Sequence, residues 1–230
     1  MRDAIASSAY FGVVISIAAY SFGMWLKKKT KLAVCNPLLV AALIIVPVLL
    51  VTNITYDEYM KGAESISYLL TPATVCLAIP LYRQLSLLKE NKAAVFCGIA
   101  AGVVANAVTI LALCLLFRME HVHYVTLLPK SITTAIGMGV SEEAGGIVTL
   151  TVVSIIITGV SGVVMSEGLF KLFKLEEPIA RGLALGNGAH AIGTSKALEL
   201  GEVEGAMSSL AIAVAGLMTV IVVPFIANLI

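Results

Sequence analysis

The stretch EPIARGLALGNGAHAIGTSKALEL, residues Glu177 to Leu200, has the length of a membrane span but is too polar to face lipid. Buried polar groups without hydrogen-bond partners cost several kcal/mol each in a bilayer, so this stretch must face protein or a water-lined cavity. Glycines at positions 182, 186, 188 and 193 weaken helix propensity and predict an interrupted helix. Small residues recur every fourth position from Ala189 to Gly205, which also indicates close helix packing.

The composition of the whole chain is that of a polytopic, all-α membrane protein. Its mean hydropathy is +1.00, and 59% of its residues are apolar while 13% are charged. At about 20 residues per span, 230 residues leave room for about seven to eight transmembrane segments in a single membrane domain, residues 1–230. A net charge of +1 without a basic face predicts no nucleic-acid partner. Four cysteines without CxxC spacing predict neither a metal site nor a disulfide.

Basic loops mark the side of the membrane that faces the cytoplasm. The apolar run Ala4–Leu26 ends in KKKTK, and a second basic loop, from Arg83 to Lys92, follows the short apolar piece at 69–82. That piece is bracketed by prolines and predicts another interrupted helix. The polar, net acidic stretch 53–67 is expected outside the membrane on the far side.

A second unusual segment, residues 126–146, contains LLPKSITTAIGMGVSEEAGG from Leu127. It is apolar over only about a dozen residues, which is the length of a re-entrant or half-crossing piece. If it enters and leaves from the outer face, the chain has seven crossings; a full crossing is the alternative.

The order of segments repeats at an offset of about 112 residues, which pairs repeat 1 (about 37–117) with repeat 2 (about 147–230). Equivalent loops carry opposite charge, so the sequence favours an inverted repeat; if 126–146 crosses fully, the repeat is parallel. The inverted arrangement predicts which charged residues share a face. Lys28, Lys89 and Lys174 are expected in the cytoplasm, and Glu64, Glu120 and Glu202 outside.

Two interrupted helices and a hydroxyl-rich re-entrant segment are typical of secondary transporters that bind substrate near mid-membrane. Helix N-termini carry free N–H groups and partial positive charge, so they favour a small organic anion. His190 would also allow coupling to protons. The structural alternative is that the hydroxyls bond their own helix and the lysines reach to the interface. The candidate binding residues are Lys130, Ser131, Thr133, Thr134, Asn187, His190, Thr194 and Ser195.

In such a carrier we expect residues 74–79 to pack against Asn187–Gly193 around a small polar cavity that fits two to four carbons. No enzyme, catalytic residue or cofactor is predicted. The adjacent carboxylates Glu142 and Glu143 point about 100° apart on a helix and do not converge on one substrate.

Four blocks of the sequence resemble the LrgB/CidB family of membrane proteins, which are often described as antiholin-like or murein-hydrolase regulators. The longest is ARGLALGNGAHAIGTSKALELGEVEGAMSSLAIAVAGLMTVIVVPF, from Ala180. The others are NPLLVA from Asn36, YDEYMKGAESISYLLTPATVCLAIPLYRQ from Tyr56 and LPKSITTAIGMGVSEEAGG from Leu128. Together these blocks extend the resemblance over nearly the whole chain.

The resemblance implies two competing functions. Similar proteins include a plastid glycolate/glycerate transporter and bacterial members linked to pyruvate uptake, which implies a monocarboxylate carrier. Others are described as holin/antiholin-like regulators of murein hydrolase activity and lysis, acting with a smaller LrgA/CidA-type membrane partner. Either function implies a multi-pass protein of the bacterial inner (cytoplasmic) membrane, in contact with the lipid bilayer. We expect a homo-oligomer, specifically a dimer.

Overall fold

The computed structural model describes residues 8, 10–30, 35, 37–69, 72, 76, 78–83 and 85–230. All regular secondary structure in these residues is helical. The chain divides into two compact units, Met1–Cys76 (unit 1) and Leu77–Ile230 (unit 2). Residues 70, 71, 73–75 and 77 of the 69–82 segment lie outside the described residues, and with them the predicted contact of residues 74–79.

The described residues of unit 1 form three helices, α1 (Phe11–Thr30), α2 (Pro37–Thr52) and α3 (Tyr56–Tyr68). The acidic stretch that we expected outside the membrane is mostly helical, because Thr55 and Glu58 form a capping box at the start of α3. Helix α1 packs closely on α3 at Gly12, and the Ser16 and Tyr59 hydroxyls lie 2.7 Å apart.

Unit 2 holds the polar segments singled out in the sequence. Its helices are α4 (Ala78–Arg83), α5 (Leu85–Glu90), α6 (Lys92–Leu116), α7 (His121–Leu127), α8 (Thr134–Glu143), α9 (Val148–Leu172), α10 (Pro178–Leu200) and α11 (Glu202–Ile226), with 3-10 turns at Leu128–Ser131 and Ala227–Leu229.

Three helices of unit 2 are long and apolar enough to cross a membrane, among the residues that the structure describes: α6, α9 and α11 with its 3-10 extension. Each helix has 25 residues. At 1.5 Å per residue each is about 37 Å long, which exceeds a hydrocarbon core of about 30 Å. This confirms a helical membrane protein; the count of seven to eight spans stays a prediction.

The sequence predicts α10 as an interrupted helix that crosses the membrane. In the structure it does not continue to the opposite end of unit 2 but folds back on itself at His190. An alanine side chain at Gly193 would overlap the Leu185 carbonyl oxygen and lie 2.8 Å from the Ala189 Cβ. In a straight helix, residues eight apart are separated by about 12 Å along the axis. His190 has φ 41° and ψ −132°, which breaks the helix into two antiparallel arms, 178–189 and 191–200. We call this segment the second hairpin.

Both arms pack on α11, in opposite directions. On the first arm, Gly182 lies against Glu204 and Gly186 against Ser208, so this arm runs parallel to α11. On the second arm, Thr194 meets Ser208, and Leu198 meets Gly205 nearer the start of α11. The close approach of these backbones explains the small-residue pattern of the sequence.

Helices α6 and α11 run in the same direction and α9 runs in the opposite one. Gly98 and Gly102 of α6 face Leu183 and Asn187 of the first arm in parallel order. Helix α9 follows the second arm, because Gly159 lies against His190 and Glu167 pairs with Lys196. Helices α6 and α11, which the offset of about 112 equates, are therefore not inverted relative to each other.

The fold-back places most cationic side chains of unit 2 at one end, which we call the basic end. Helix α6 begins there and α9 ends there. The first arm of the second hairpin also begins at this end, and its second arm ends there. Glu202 also lies at the basic end, where its carboxylate is 3.3 Å from the Arg83 guanidinium. The prediction that Glu202 and Lys174 lie on opposite sides of the membrane is therefore wrong, since both lie at the same end of unit 2. The basic end carries Arg83, Lys89, Lys92, Lys171, Lys174, Arg181 and Lys196.

The segment from His121 to Glu143 forms a first hairpin whose two ends both lie at the opposite end of unit 2. Near its start, the Tyr124 hydroxyl donates to the carbonyl oxygen of Ile226, at the end of α11. Near its turn, the Asn106 side chain reaches the Leu128 carbonyl from well inside α6. The two hairpins thus enter unit 2 from opposite ends and turn in its interior.

Candidate functional site

The turns of the two hairpins border one cavity of about 790 Å³. The cavity extends from the basic end, at Asn91 and Glu177, to the hairpin turns, at Lys130 and Gly188. One wall is the small-residue face of α6 and the other is the first arm of the second hairpin. The end of the cavity at the hairpin turns is called its closed end or floor. Its polar lining is Asn106, Thr109, Lys130, Ser131 and Asn187.

The first hairpin turns where Pro129 interrupts α7. The chain continues as a 3-10 turn and then becomes extended at Ile132 and Thr133, before α8 begins at Thr134. Proline lacks an N–H and cannot continue the hydrogen-bond ladder, so the break is dictated by the sequence. This turn carries Lys130 and Ser131, both half-buried, to the closed end of the cavity.

Lys130 has no counter-ion there. Among the described residues, no carboxylate lies within ion-pair distance of its ammonium group, and no side chain or carbonyl accepts a hydrogen bond from it. A lysine in the interior of a membrane protein is normally paired, and where it is not it marks a site for an anionic partner. Lys130 is therefore a candidate for contact with an anionic ligand.

The second hairpin turns at His190, whose positive φ is unusual for a residue with a side chain. His190 is 3% exposed, and its imidazole points toward α9, where its Nε2 lies 2.9 Å from the Ile155 carbonyl oxygen. Because a carbonyl only accepts, Nε2 carries the proton and donates. His190 thus holds the turn against α9 at Gly159 and does not line the cavity.

The remaining candidates are divided between the cavity and the packing interfaces. Asn187 lines the cavity and donates from its Nδ2 to the Ile99 carbonyl oxygen at 2.9 Å. Thr194 is buried, donates to the His190 carbonyl and meets the Ser208 hydroxyl at 2.8 Å. Ser195 is exposed and bonds its own helix at Ala191. Thr133 and Thr134 are half-buried around the start of α8, outside the cavity lining.

The second arm of each hairpin begins in the interior of unit 2. In the first hairpin this arm is α8, from Thr134, and in the second hairpin it begins at Ala191. Thr133 precedes α8 as its N-cap, yet its side chain makes no capping hydrogen bond. Helix N-termini carry about half a positive charge and free N–H groups, and anions are favourable near them. The first arms end at the same turns, and helix C-termini carry a partial negative charge. The full charge that lines this end of the cavity is therefore that of Lys130.

Sequence reasoning gave no role in the site to Asn106 and did not pick out Thr109. Asn106 was noticeable as a polar residue inside an otherwise apolar span, but nothing in the span alone places it beside the hairpin turn. Its Nδ2 donates to the Leu128 carbonyl oxygen at 2.9 Å, while its Oδ1 is buried with no hydrogen-bond partner in the structure. No cluster of three or more His, Cys, Asp or Glu side chains suited to a metal ion occurs in the described part of the chain.

Comparison with known proteins gives the chain a family. Residues 16–229 match the model of the LrgB-like family. The antiholin-like protein LrgB of Bacillus mycoides (strain KBAB4) is 38% identical over 94% of both chains, and those of Bacillus cereus (strain B4264) and Bacillus anthracis (strain CDC 684 / NRRL 3495) are each 37% identical over the same share. No solved structure matches the chain. A family match over most of its length and these relatives show that the chain belongs to the LrgB-like family.

Proposed function

We propose that this protein is a secondary carrier of small monocarboxylates and that the anion binds at the closed end of the cavity, beside Lys130. The observation that carries the proposal is the ammonium group of Lys130, which lies at the cavity floor with no partner among the described residues. An uncompensated cation that is half-buried costs free energy, and a carboxylate would offset that cost. Ser131, next to it, offers a hydroxyl for a second hydrogen bond.

The helix ends support the same class of ligand. The N-termini of both second arms point into the interior of unit 2, and crossed or interrupted helices with such ends hold anionic groups in secondary transporters. The cavity of about 790 Å³ is larger than an anion of two to four carbons. Most of it would therefore be the route from the basic end, and only its floor would be the binding site.

The charge distribution favours one orientation. Cytoplasmic loops of membrane proteins carry an excess of lysine and arginine, so we place the basic end of unit 2 in the cytoplasm of a bacterial inner membrane. The cavity would then open inward. The two hairpins, which enter from opposite ends, would be the parts of an inverted repeat that exchange access between the two faces.

The test is uptake by purified protein in proteoliposomes of labelled pyruvate, glycolate and lactate, with and without a pH gradient. We expect saturable uptake of at least one of them and a loss of at least tenfold in Lys130→Ala. Lys171→Ala is the matched control, because Lys171 is an exposed lysine outside the cavity lining, and it should retain uptake. Absence of uptake in the unaltered protein, or normal uptake in Lys130→Ala, contradicts the proposal. A dependence on the pH gradient would identify protons as the coupling ion.

The second candidate function is a regulator of lysis, and the printed names of the Bacillus relatives favour it. A regulator is expected to need an LrgA/CidA-type membrane partner, whereas a carrier is expected to transport alone. Proteoliposomes with and without that partner separate the two candidates. Uptake that appears only with the partner present would make this protein one part of a larger assembly. The homo-oligomer that we expect from the sequence stays a prediction.

A further inference from the structure

Two side-chain amides tie the hairpin turns to α6. Asn106 of α6 donates from Nδ2 to the carbonyl oxygen of Leu128 in the first turn, at 2.9 Å. Asn187 of the second turn donates from Nδ2 to the carbonyl oxygen of Ile99 in α6, also at 2.9 Å. Both acceptors are backbone carbonyls, which cannot donate, so each amide must present its NH₂ group to its partner.

The two bonds lie on one face of α6. Ile99 and Asn106 are seven residues apart, which is almost two full turns, so their attachment points are about 10 Å apart along the axis. Gly102 lies between them, and an alanine side chain there would overlap the Asn187 amide nitrogen. Glycine at this position is therefore required for the Asn187 amide to approach the helix backbone.

Each bond lies within two residues of a position at the cavity floor. Lys130 follows Leu128 by two residues, and Gly188 is the neighbour of Asn187. Beyond these bonds, the turns border a cavity, so on that side no packed side chains hold them in place. The Oδ1 atom of Asn106 is buried and has no hydrogen-bond partner in the structure. An apolar side chain of the same size would avoid the cost of that oxygen but would remove the donor to the Leu128 carbonyl, so what the amide supplies at this position is its bond to the turn.

We propose that Asn106 and Asn187 are positioning residues, each of which holds one hairpin turn against α6 and so sets the separation of Lys130 and Gly188 across the cavity floor. The inference deepens the proposed transport function and rests on it for its purpose, but its geometry can be measured without transport. Asn187, a candidate for substrate contact in the sequence, thereby acts through the position of its hairpin, because its NH₂ group is already engaged by Ile99.

The test uses the full chain with its four cysteines, Cys35, Cys76, Cys97 and Cys114, replaced, and with a single cysteine at position 130 or 188. The rate of labelling by a charged, water-soluble thiol reagent is measured in membranes, in the parent and in two variants, Asn106→Leu and Asn187→Leu. Asn106→Leu should change the rate at position 130 at least threefold and the rate at 188 less than twofold. Asn187→Leu should do the reverse. Each variant is the other's control for folding, because the unaffected position must keep its rate.

Rates that stay unchanged at the position next to the altered bond overturn the proposal. Equal changes at both positions also overturn it, because they indicate general loosening of the structure. In uptake assays on the chain with Lys130 and Gly188 intact, both variants should raise the KM for the monocarboxylate at least fivefold with maximal rate per protein within twofold. A fall in maximal rate with unchanged KM would instead show a merely structural role. If the unaltered protein transports nothing, the proposed function fails while the labelling rates still decide the positioning.

Discussion

The first and second hairpins solve the same geometrical problem with different residues. The first turns through a proline and a 3-10 segment, with no positive φ between Leu128 and Thr134. The second turns at a single residue, His190, which adopts a positive φ and is held there by a hydrogen bond to α9. The first brings a charged residue, Lys130, to the cavity, whereas the turn of the second borders the cavity with an uncharged amide, Asn187, and a glycine, Gly188.

This difference separates two roles within one site. The first hairpin brings a positive charge to the cavity, and the second brings no charge at its turn but a surface packed closely on its neighbours. Around that turn, small residues are required by packing at Gly186 and Gly193, but not at Gly188, where an added Cβ would meet nothing within 4 Å. Gly188 thus borders the cavity, whereas Gly186 and Gly193 contact other backbones.

The largest expected effect is on the side of the membrane to which each hairpin end is exposed. Single cysteines at Glu177 and Glu202 flank the second hairpin, and both should be labelled by an impermeant reagent from the same side as Lys89. A cysteine at Glu143, at the end of the first hairpin, should be labelled only from the opposite side. The reason is that each hairpin begins and ends at one end of unit 2. Labelling of positions 177 and 202 from opposite sides would show that α10 crosses the membrane. The second segment would then not be a hairpin, and the comparison of two hairpins would no longer hold.

The next largest effect distinguishes the two kinds of glycine. Gly193→Leu should reduce the amount of folded protein in the membrane at least tenfold, because the new side chain would overlap the Leu185 backbone. Gly188→Leu should leave that amount within twofold while uptake falls at least tenfold, because the side chain fills the cavity instead. Membrane abundance by immunoblot and uptake in proteoliposomes measure the two effects. Similar behaviour of both variants would contradict the assignment of Gly188 to the cavity.

Much of the candidate site follows from local sequence, and the part that does not depends on long-range packing. Pro129 and the glycines around position 190 mark both interruptions, because their effects on the helix are local. Whether an interrupted helix continues or folds back is decided by contacts with α9 and α11, far away in sequence. His190 shows the limit most clearly, since its titratable side chain suggested substrate contact while the structure directs it to the Ile155 carbonyl.

A shorter repeat than the predicted one becomes visible once the two hairpins are compared. The sequences TAIG at 134–137 and HAIG at 190–193 start the two second arms and are 56 residues apart, half of the offset of about 112 that we had used. Helices α9 and α11 follow them and begin with a similar offset, but run in opposite directions. A match of three identical residues is too short to be noticed without the structure, and doubling the offset equates helices that run in parallel.

The smallest expected effect distinguishes two neighbouring hydroxyls of the second hairpin. Thr194→Val removes a buried hydrogen bond to Ser208 and another to the His190 carbonyl, so it should lower stability by about 1 kcal/mol. For a protein of this size that corresponds to a fall in Tm of about 2–4 °C. Ser195→Ala removes an exposed hydroxyl that bonds only its own helix, and its Tm in detergent should stay within about 1 °C. Uptake should change less than threefold in both variants, because neither hydroxyl lines the cavity. A Thr194→Val protein with unchanged Tm and lost uptake would place that hydroxyl in contact with the substrate, and would mean that the second hairpin contributes a hydroxyl to the site as the first one does with Ser131.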